Sequence, residues 1–168
     1  NDNEDIGLSR IVATFDWEYS SNKKEEGTWD VTIGDWKMPW NLQLPKVKRK
    51  SINYKSLAWA EQPQTIAEVG STFTIQGFDL NYVGVIIGPS VVFRDGKIQF
   101  VPENSKNEKA VRNRTLSDGR RQKFGERLLK NELNVLLTRG VKGLYIYAVD
   151  PALQEELMRR QGVKINGK

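Results

Sequence analysis

A stripe of apolar residues near the C-terminal end of the chain is its clearest pattern. The stripe covers residues 124–137 at the three- and four-residue spacing of one helix face. It predicts a helix over residues 117–139, because Ser117 or Asp118 can cap its start and Gly140 can end it.

Continuous apolar runs predict the strands. Residues 82–87 form such a run, which suits a parallel strand covered on both faces, and residues 143–149 predict the next buried strand. Residues 10–15 form a shorter β-branched run. Asp150 can cap a second helix and Pro151 suits its first turn, so we expect that helix to follow at once.

Shorter patterns fill the middle of the chain. Residues 91–101 predict a hairpin that turns at 94–96, and residues 68–75 are expected to be extended before a turn at 76–79. Residues 103–114 are polar and predict a loop with some helix. The order strand, turn, strand, helix, strand, helix predicts one layered α/β domain, residues 1–168, with a mainly parallel sheet.

An irregular, tryptophan-rich and basic excursion is expected at about residues 20–60. The segment 16–59 holds all five tryptophans, and we expect most of them, including Trp17 and Trp59, to be buried rather than stacked on bases. Thr28 to Ile33 is its best candidate strand. The basic run inside the excursion can track a phosphate backbone or lie in solvent as an ordinary charged surface; its cations are Lys46, Lys48, Arg49 and Lys50.

Composition narrows the possible functions. The chain has neither cysteine nor histidine, so it cannot use disulfides, thiol nucleophiles or histidine-based catalysis, and we expect no metal site. The lack of cysteine also favours a cytoplasmic location, and no apolar run is long enough to cross a membrane. A formal net charge of +5 favours a polyanionic partner such as DNA or RNA.

Two short segments carry candidate chemistry. Arg139 lies at a predicted helix-to-strand turn, where its guanidinium can grip a phosphate or merely complement the helix dipole. Gln76 and Gly77 precede a buried strand, and Asp79 could accept a hydrogen bond from a ribose hydroxyl. Taken alone, that second segment could equally be an ordinary turn.

Together the two segments resemble the fifth and sixth motifs of superfamily 1 helicases. The form QGFDLNYVGVIIGP followed by NVLLTRGVKGLYIY is most similar to the Schlafen-like (group 3) DNA/RNA helicase family, whose proteins are described as having an ATP/GTP-binding domain. The resemblance covers residues 68–150, and RIVATFDWEY at residues 10–19 is similar to that family's entry into its second RecA-like domain.

The resemblance implies a RecA-like domain of the P-loop NTPase type. In such helicases two RecA-like domains hold ATP and Mg between them, and the second supplies an arginine finger, which Arg139 matches. Gln76, Gly77 and Asp79 match the nucleotide-binding motif, and Thr74 lies where a contact to nucleic acid is expected. The implied partners are DNA or RNA and an N-terminal RecA-like domain of the same protein, with no membrane.

Several positions depart from the family pattern. Phe73 stands where His is usual, Asp79 where Glu is usual, and Asn81 where Asp is common. The sequence contains no G-x-x-x-x-G-K-[ST] loop, so we expect these residues alone neither to bind nor to hydrolyse ATP. A nucleic-acid-binding or protein-interaction module that keeps the fold without catalysis remains the alternative.

Overall fold

The computed structural model describes residues 8–21, 27–47, 53, 56–108, 114–115, 121–122 and 124–162. Its ten strands in this part of the chain are β1 (Ser9–Ala13), β2 (Asp30–Ile33), β3 (Trp36–Pro39), β4 (Val69–Gly70), β5 (Leu80–Ile87), β6 (Val91–Arg94), β7 (Lys97–Phe100), β8 (Arg114–Thr115), β9 (Arg121–Gln122) and β10 (Gly140–Ala148). Two α-helices, α1 (Gly125–Leu137) and α2 (Pro151–Arg160), accompany them.

The centre of the fold is a four-stranded, entirely parallel sheet in the order β10-β5-β1-β4. Val12 of β1 lies beside Val85 of β5, which in turn lies beside Ile146 of β10. This arrangement confirms the predicted α/β class and parallel sheet, and it is consistent with a RecA-like domain. The three longer strands come from the three apolar runs in the sequence. The prediction that residues 143–149 form a buried strand is wrong for most of β10, because β10 lies at the edge of the sheet and Tyr145 is 68% exposed.

The main core covers one face of the sheet. Val83, Val85 and Ile87 alternate along β5 toward this face, where they pack with Leu136 of α1 and Leu153 of α2. Trp59 is also buried here, as expected.

The opposite face carries a smaller core, which holds several of the tryptophans that were expected to be buried. Trp40 is fully buried there against Val69 and Ile86, and Trp17 and Trp29 pack at its margin. The hairpin of β2 and β3 supplies Val31 to the same cluster. Trp36 is the exception, because 38% of its surface is exposed.

This second face is covered only over its carboxyl half. Tyr82 is 42% exposed, and it lines an open cleft of about 470 Å³ with Ile66 and Tyr145. The prediction that the run at residues 82–87 is covered on both faces therefore holds for Ile86 and is wrong for Tyr82.

Three boundaries differ from the sequence-based expectations. Helix α1 begins at Gly125, because Arg121–Gln122 pairs with Arg114–Thr115 as antiparallel strands; the proposed caps, Ser117 and Asp118, lie outside the described residues. Gly140 starts β10 instead of ending the helix, whose last residue is Leu137. A Cβ on Gly140 would lie 2.4 Å from the carbonyl oxygen of Gly143, so a bulge explains the glycine.

The segment predicted to be extended at residues 68–75 is mostly a turn. Only Val69–Gly70 forms a strand, because Thr74 and Ile75 both donate backbone hydrogen bonds to the carbonyl of Ser71. The remaining residues up to Asp79 carry the chain back across the sheet to the start of β5.

The hairpin and the second helix match their predictions. Strands β6 and β7 turn through Asp95 and Gly96, whose φ values of 53° and 74° explain why glycine is used. Asp150 caps α2 by accepting a hydrogen bond from the Leu153 N–H at 2.9 Å. None of the helices in the described part of the chain is long and apolar enough to cross a membrane.

Candidate functional site

The amino ends of β5 and β10 bring the two predicted motifs together. The Leu80 N–H at the start of β5 donates to the carbonyl oxygen of Arg139 at 2.8 Å. This bond fixes the turn after α1 beside the turn before β5. Segments separated by about sixty residues in the sequence thereby meet at one edge of the sheet.

The Arg139 guanidinium lies over the last turn of α1. Its Nε donates to the carbonyl oxygen of Val135 at 3.0 Å, and one terminal nitrogen lies 3.3 Å from a carboxylate oxygen of Asp79. The Arg139 side chain is 23% exposed, whereas that of Asp79 is 64% exposed. Because the ion pair is partly exposed, it contributes only about 0–1 kcal/mol to stability.

Gln76 and Gly77 form the exposed turn that leads to this edge. Gly77 has a φ of 72°, a left-handed conformation that favours glycine. A Cβ placed on Gly77 would have no atom within 4 Å, so the backbone here is open to a ligand. The structure therefore places Gln76 and Gly77 in the segment that ends at Asp79 and so at the Arg139 edge.

Thr74 uses its polar groups within its own turn. Its hydroxyl oxygen accepts from the Ser71 N–H at 2.8 Å and donates to the Ser71 carbonyl oxygen at 3.0 Å. A contact between Thr74 and nucleic acid stays a prediction.

The basic run is described only at its first residues. Lys46 is exposed and follows the Leu44 backbone, whose N–H donates to the buried carboxylate of Glu68. Lys48, Arg49 and Lys50 lie outside the described residues. Their role in binding phosphates therefore stays a prediction.

Asn81, one of the departures from the family pattern, has a clear structural role. Its side-chain oxygen accepts from the Leu8 N–H at 2.8 Å, and its own N–H donates to the Leu8 carbonyl oxygen at 2.9 Å. The amide side chain therefore helps to join the starts of β1 and β5.

The carboxyl edge of the sheet holds a buried polar cluster that the sequence analysis missed. Asp16 follows β1 and accepts from the Thr14 hydroxyl at 2.9 Å and the Ser90 N–H at 3.0 Å. Glu132 of α1 accepts from the Phe15 N–H at 2.8 Å. The burial of Glu132 could have been expected from the sequence, because Glu132 lies next to Leu129, Leu133 and Leu136 on the apolar face of the helix.

Burial shifts the titration of both carboxyl groups. It raises the pKa of Glu132 to about 7, and the hydrogen bond from Phe15 and the charge of Asp16 act on it in opposite directions. Burial also raises the pKa of Asp16, although its hydrogen bonds from Ser90 and Thr14 oppose the shift. No group of three or more acidic side chains that could hold a metal ion occurs in the described residues.

The amino edge carries two features that can contact a phosphate. Arg139 offers a planar cation to a phosphate, and Gly77 leaves its backbone approachable. Neither group replaces the cradle of backbone N–H donors that a phosphate-binding loop provides, and the sequence has no such loop.

Comparison with known proteins identifies the family. The model of the Schlafen group 3 DNA/RNA helicase domain matches residues 1–150. The chain belongs to this family. The resemblance seen in its fifth and sixth motifs is confirmed at the level of the family.

A yeast relative shows that such chains can be parts of longer proteins. The Schlafen-family chain is 37% identical over 156 residues to "Uncharacterized protein YPL245W" of Saccharomyces cerevisiae. That match covers 91% of the present chain and 32% of the yeast protein, so the chain spans about a third of its relative's length. No solved structure matches the chain significantly.

Proposed function

We propose that this chain is the second motor domain of a nucleic-acid-dependent ATPase or helicase. ATP and Mg would be held mainly by a first RecA-like domain elsewhere in the same polypeptide. The observation that carries the proposal is the contact between Arg139 and Asp79, 3.3 Å apart, which joins the two helicase-like motifs at one sheet edge.

Arg139 acts as an arginine finger in this proposal. When the first domain presents bound ATP, the guanidinium leaves Asp79 and binds the γ-phosphate, where it offsets the charge that develops during transfer to water. Asp79 is then free to accept a hydrogen bond from the ribose, while Gln76 and Gly77 line the same edge. The weak, partly exposed ion pair keeps the Arg139 side chain close to the position in which it would bind the γ-phosphate.

Nucleic acid is the second ligand in the proposal. The net charge of +5 and the basic run at residues 46–50 supply phosphate contacts, and Thr74 lies in the turn that leads to Gln76. The same turn therefore connects a nucleic-acid contact with the nucleotide edge. The lack of cysteine supports a cytoplasmic location for this activity.

ATP turnover by an Arg139→Ala variant tests the finger. In the complete protein we expect the variant to lose about 10³- to 10⁵-fold in ATP turnover, because a finger supplies that much to phosphoryl transfer. Folding should persist, since the bond from Leu80 uses the backbone carbonyl of residue 139, which every substitution keeps. Steady-state ATPase rates and thermal unfolding would be measured together.

Arg127→Ala is the matched control, because Arg127 is an exposed arginine on the first turn of the same helix. Its turnover should equal that of the unmodified protein. If the Arg139→Ala protein also turned over ATP at the rate of the unmodified protein, Arg139 would not be an arginine finger. It would favour the alternative of a binding module without catalysis, in which Asp79 and Val135 simply hold Arg139 on α1.

A further inference from the structure

The amino half of the second sheet face leaves a group of apolar side chains in solvent. Tyr82 of β5 is 42% exposed, Tyr145 of β10 is 68% exposed, and Ile66 is 65% exposed. These three side chains and Ile11 of β1 line the open cleft of about 470 Å³. Single exposed apolar residues are ordinary, whereas a contiguous group of them marks a surface that binds another element.

A glycine forms the floor of this cleft. In the sheet register Tyr145 lies beside Gly84, and Gly84 lies beside Ile11. A Cβ on Gly84 would have only the Ile11 side chain near it among the described residues, at 3.6 Å, so the space above this glycine is open. A glycine inside a strand often marks a place where another chain segment approaches the sheet closely.

The neighbouring row of the sheet fixes one wall of the cleft. Tyr82 lies beside Gly143, and its ring leans over that glycine, because a Cβ on Gly143 would lie 2.6 Å from Cδ1 of the ring. Each tyrosine on this face therefore has a glycine as its neighbour on the adjoining strand. The alternation leaves a hollow above Gly84 that can receive a side chain from another element.

The charged side chain that lines the cleft already uses its guanidinium within the chain. Arg10 donates to the carbonyl oxygen of Ser9 at 2.8 Å, to that of Ala60, and to the Thr65 hydroxyl oxygen at 3.0 Å. A site for a nucleotide or another small polar ligand needs convergent polar groups that fix its orientation. Because Arg10 is engaged and the other large lining side chains are apolar or aromatic, the cleft suits an apolar occupant.

The width of the cleft matches one α-helix. It crosses β10, β5 and β1, and two spacings of about 4.8 Å between neighbouring strands make about 10 Å. An α-helix with its side chains is about 10–12 Å in diameter. Parallel sheets of α/β proteins usually carry helices on both faces. Here the small core around Trp40 covers only the carboxyl half of the second face.

We infer that an amphipathic helix from another part of the same polypeptide docks on this cleft. It inserts an apolar side chain above Gly84, between Tyr82 and Tyr145. The match to the yeast relative covers only 32% of that protein, so such a relative has ample sequence outside the shared region for this helix. A helix on the same polypeptide has a high effective concentration at the cleft, whereas a second copy must bind from solution. The inference goes beyond the proposed function and does not depend on ATP hydrolysis.

Photo-cross-linking in the complete protein identifies the element that covers the cleft. The variant Tyr145→benzoylphenylalanine keeps an aromatic ring at the cleft, and mass spectrometry locates the cross-linked residues. We expect cross-links within one polypeptide, to residues outside these 168 that recur at the three- and four-residue spacing of a helix face. The same photoreactive residue in place of Phe73, which is 50% exposed at the opposite edge, is the control and should not reach that segment.

The variant Gly84→Leu gives a second measurement. On an open sheet face it should not lower the melting temperature, since a strand interior favours a side chain over glycine and the new Cβ meets Ile11 in ordinary contact. Under a docked helix the leucine occupies the space of the inserted side chain. We therefore expect the melting temperature of the complete protein to fall by about 2–10 °C, and the cross-link from position 145 to be lost.

Three results would overturn the docked helix. A cross-link between isotope-labelled and unlabelled copies would make the cleft an interface between two molecules. A cross-link to other residues of these 168, or none, would show that no helix from elsewhere in the polypeptide covers it. An unchanged melting temperature and cross-link in Gly84→Leu would exclude the seat above Gly84. If Gly84→Leu fails to fold, the cross-link in the otherwise unmodified protein decides. The Arg139→Ala turnover tests the proposed function separately.

Discussion

Glu132 shows how one buried carboxyl group makes the stability of this domain depend on pH. It is 8% exposed on the inner face of α1, and one of its carboxylate oxygens has no hydrogen-bond partner among the described residues. Because burial raises its pKa to about 7, the folded protein prefers the protonated form up to neutral pH.

The Glu132→Gln variant should lose much of that pH dependence. A carboxyl group with a raised pKa stabilises the fold most below its unfolded pKa near 4.5, and this contribution disappears as pH rises to about 7. The shift corresponds to about 3 kcal/mol, nearly all of it lost by pH 8. We therefore expect Glu132→Gln to be more stable than the unmodified protein at pH 8 and similar to it at pH 5.

Urea unfolding at pH 5 and pH 8 measures this difference. Glu126→Gln serves as the control, because Glu126 is exposed on the first turn of the same helix and should leave the pH dependence unchanged. If Glu132→Gln keeps the full difference between the two pH values, another group causes it. Asp16, whose pKa burial also raises, would be the next residue to replace by asparagine.

At the residue scale, sequence patterns predict the apolar positions better than the buried polar ones. Leu129, Leu133 and Leu136 follow from helical spacing, and all three are buried. Glu132 breaks the same pattern, and its burial depends on a partner more than a hundred residues away, the Phe15 N–H. Only the folded sheet brings such a donor to the helix, so local spacing could not reveal it.

At the element scale, Asp150 ties α2 to the hairpin of β6 and β7. Besides capping the helix through Leu153, its carboxylate accepts from the Phe93 N–H at 3.1 Å and forms a bidentate pair with Arg94 at 3.0 and 2.7 Å. These contacts hold the pKa of Asp150 below its usual value, chiefly through the hydrogen bond from Arg94.

Two substitutions of Asp150 separate the cap from the ion pair. Asp150→Ala should cost about 2 kcal/mol in the free energy of unfolding, since it leaves the Leu153 and Phe93 donors unpaired. Asp150→Asn keeps a capping oxygen and should cost about 1 kcal/mol less than alanine, because Arg94 is half exposed. Urea unfolding gives both values, and equal costs would show that the charge pair, not the cap, joins the elements.

The capping of α2 was predictable because its signal is local, in two adjacent residues, Asp150 and Pro151. The start of α1 was not predictable, because it depends on the pairing of Arg121–Gln122 with Arg114–Thr115. Neither of these short segments has the sequence pattern of a strand. The hairpin of β2 and β3 was half predicted: Asp30–Ile33 was expected, whereas Trp36–Pro39 was hidden by its mixture of aromatic, basic and proline residues.

At the scale of the whole molecule, the two edges of the sheet have different chemistry. The amino edge joins Arg139 to Asp79, and the carboxyl edge carries the half-exposed ring of Phe73. Residues 71–79 run from one edge to the other. The contact between the end of this segment and Arg139 could be expected from the family resemblance. The packing of Phe73 against Phe15, and of Phe15 against Trp40, could not be expected, because it combines rings from three separate parts of the chain.

Gln76 lies in the segment that connects these edges. Replacing Gln76 tests whether the two edges are functionally coupled. It is exposed, and its amide has no hydrogen-bond partner within the part of the chain that the structure describes. Replacement by alanine should therefore change the free energy of unfolding by less than about 0.5 kcal/mol. If Gln76 links bound nucleic acid to the nucleotide edge, Gln76→Ala should lower the stimulation of ATPase by single strands severalfold.

The measurement is the ratio of ATPase rates with and without a saturating single strand, made on the complete protein. Gln161→Ala is a matched control, because Gln161 is an exposed glutamine at the end of α2, outside both edges. A lower melting temperature with an unchanged ratio would make Gln76 part of an ordinary turn. A lower ratio at an unchanged melting temperature would make residues 74–79 part of the connection between nucleic acid and nucleotide, since this segment runs from Thr74 to Asp79.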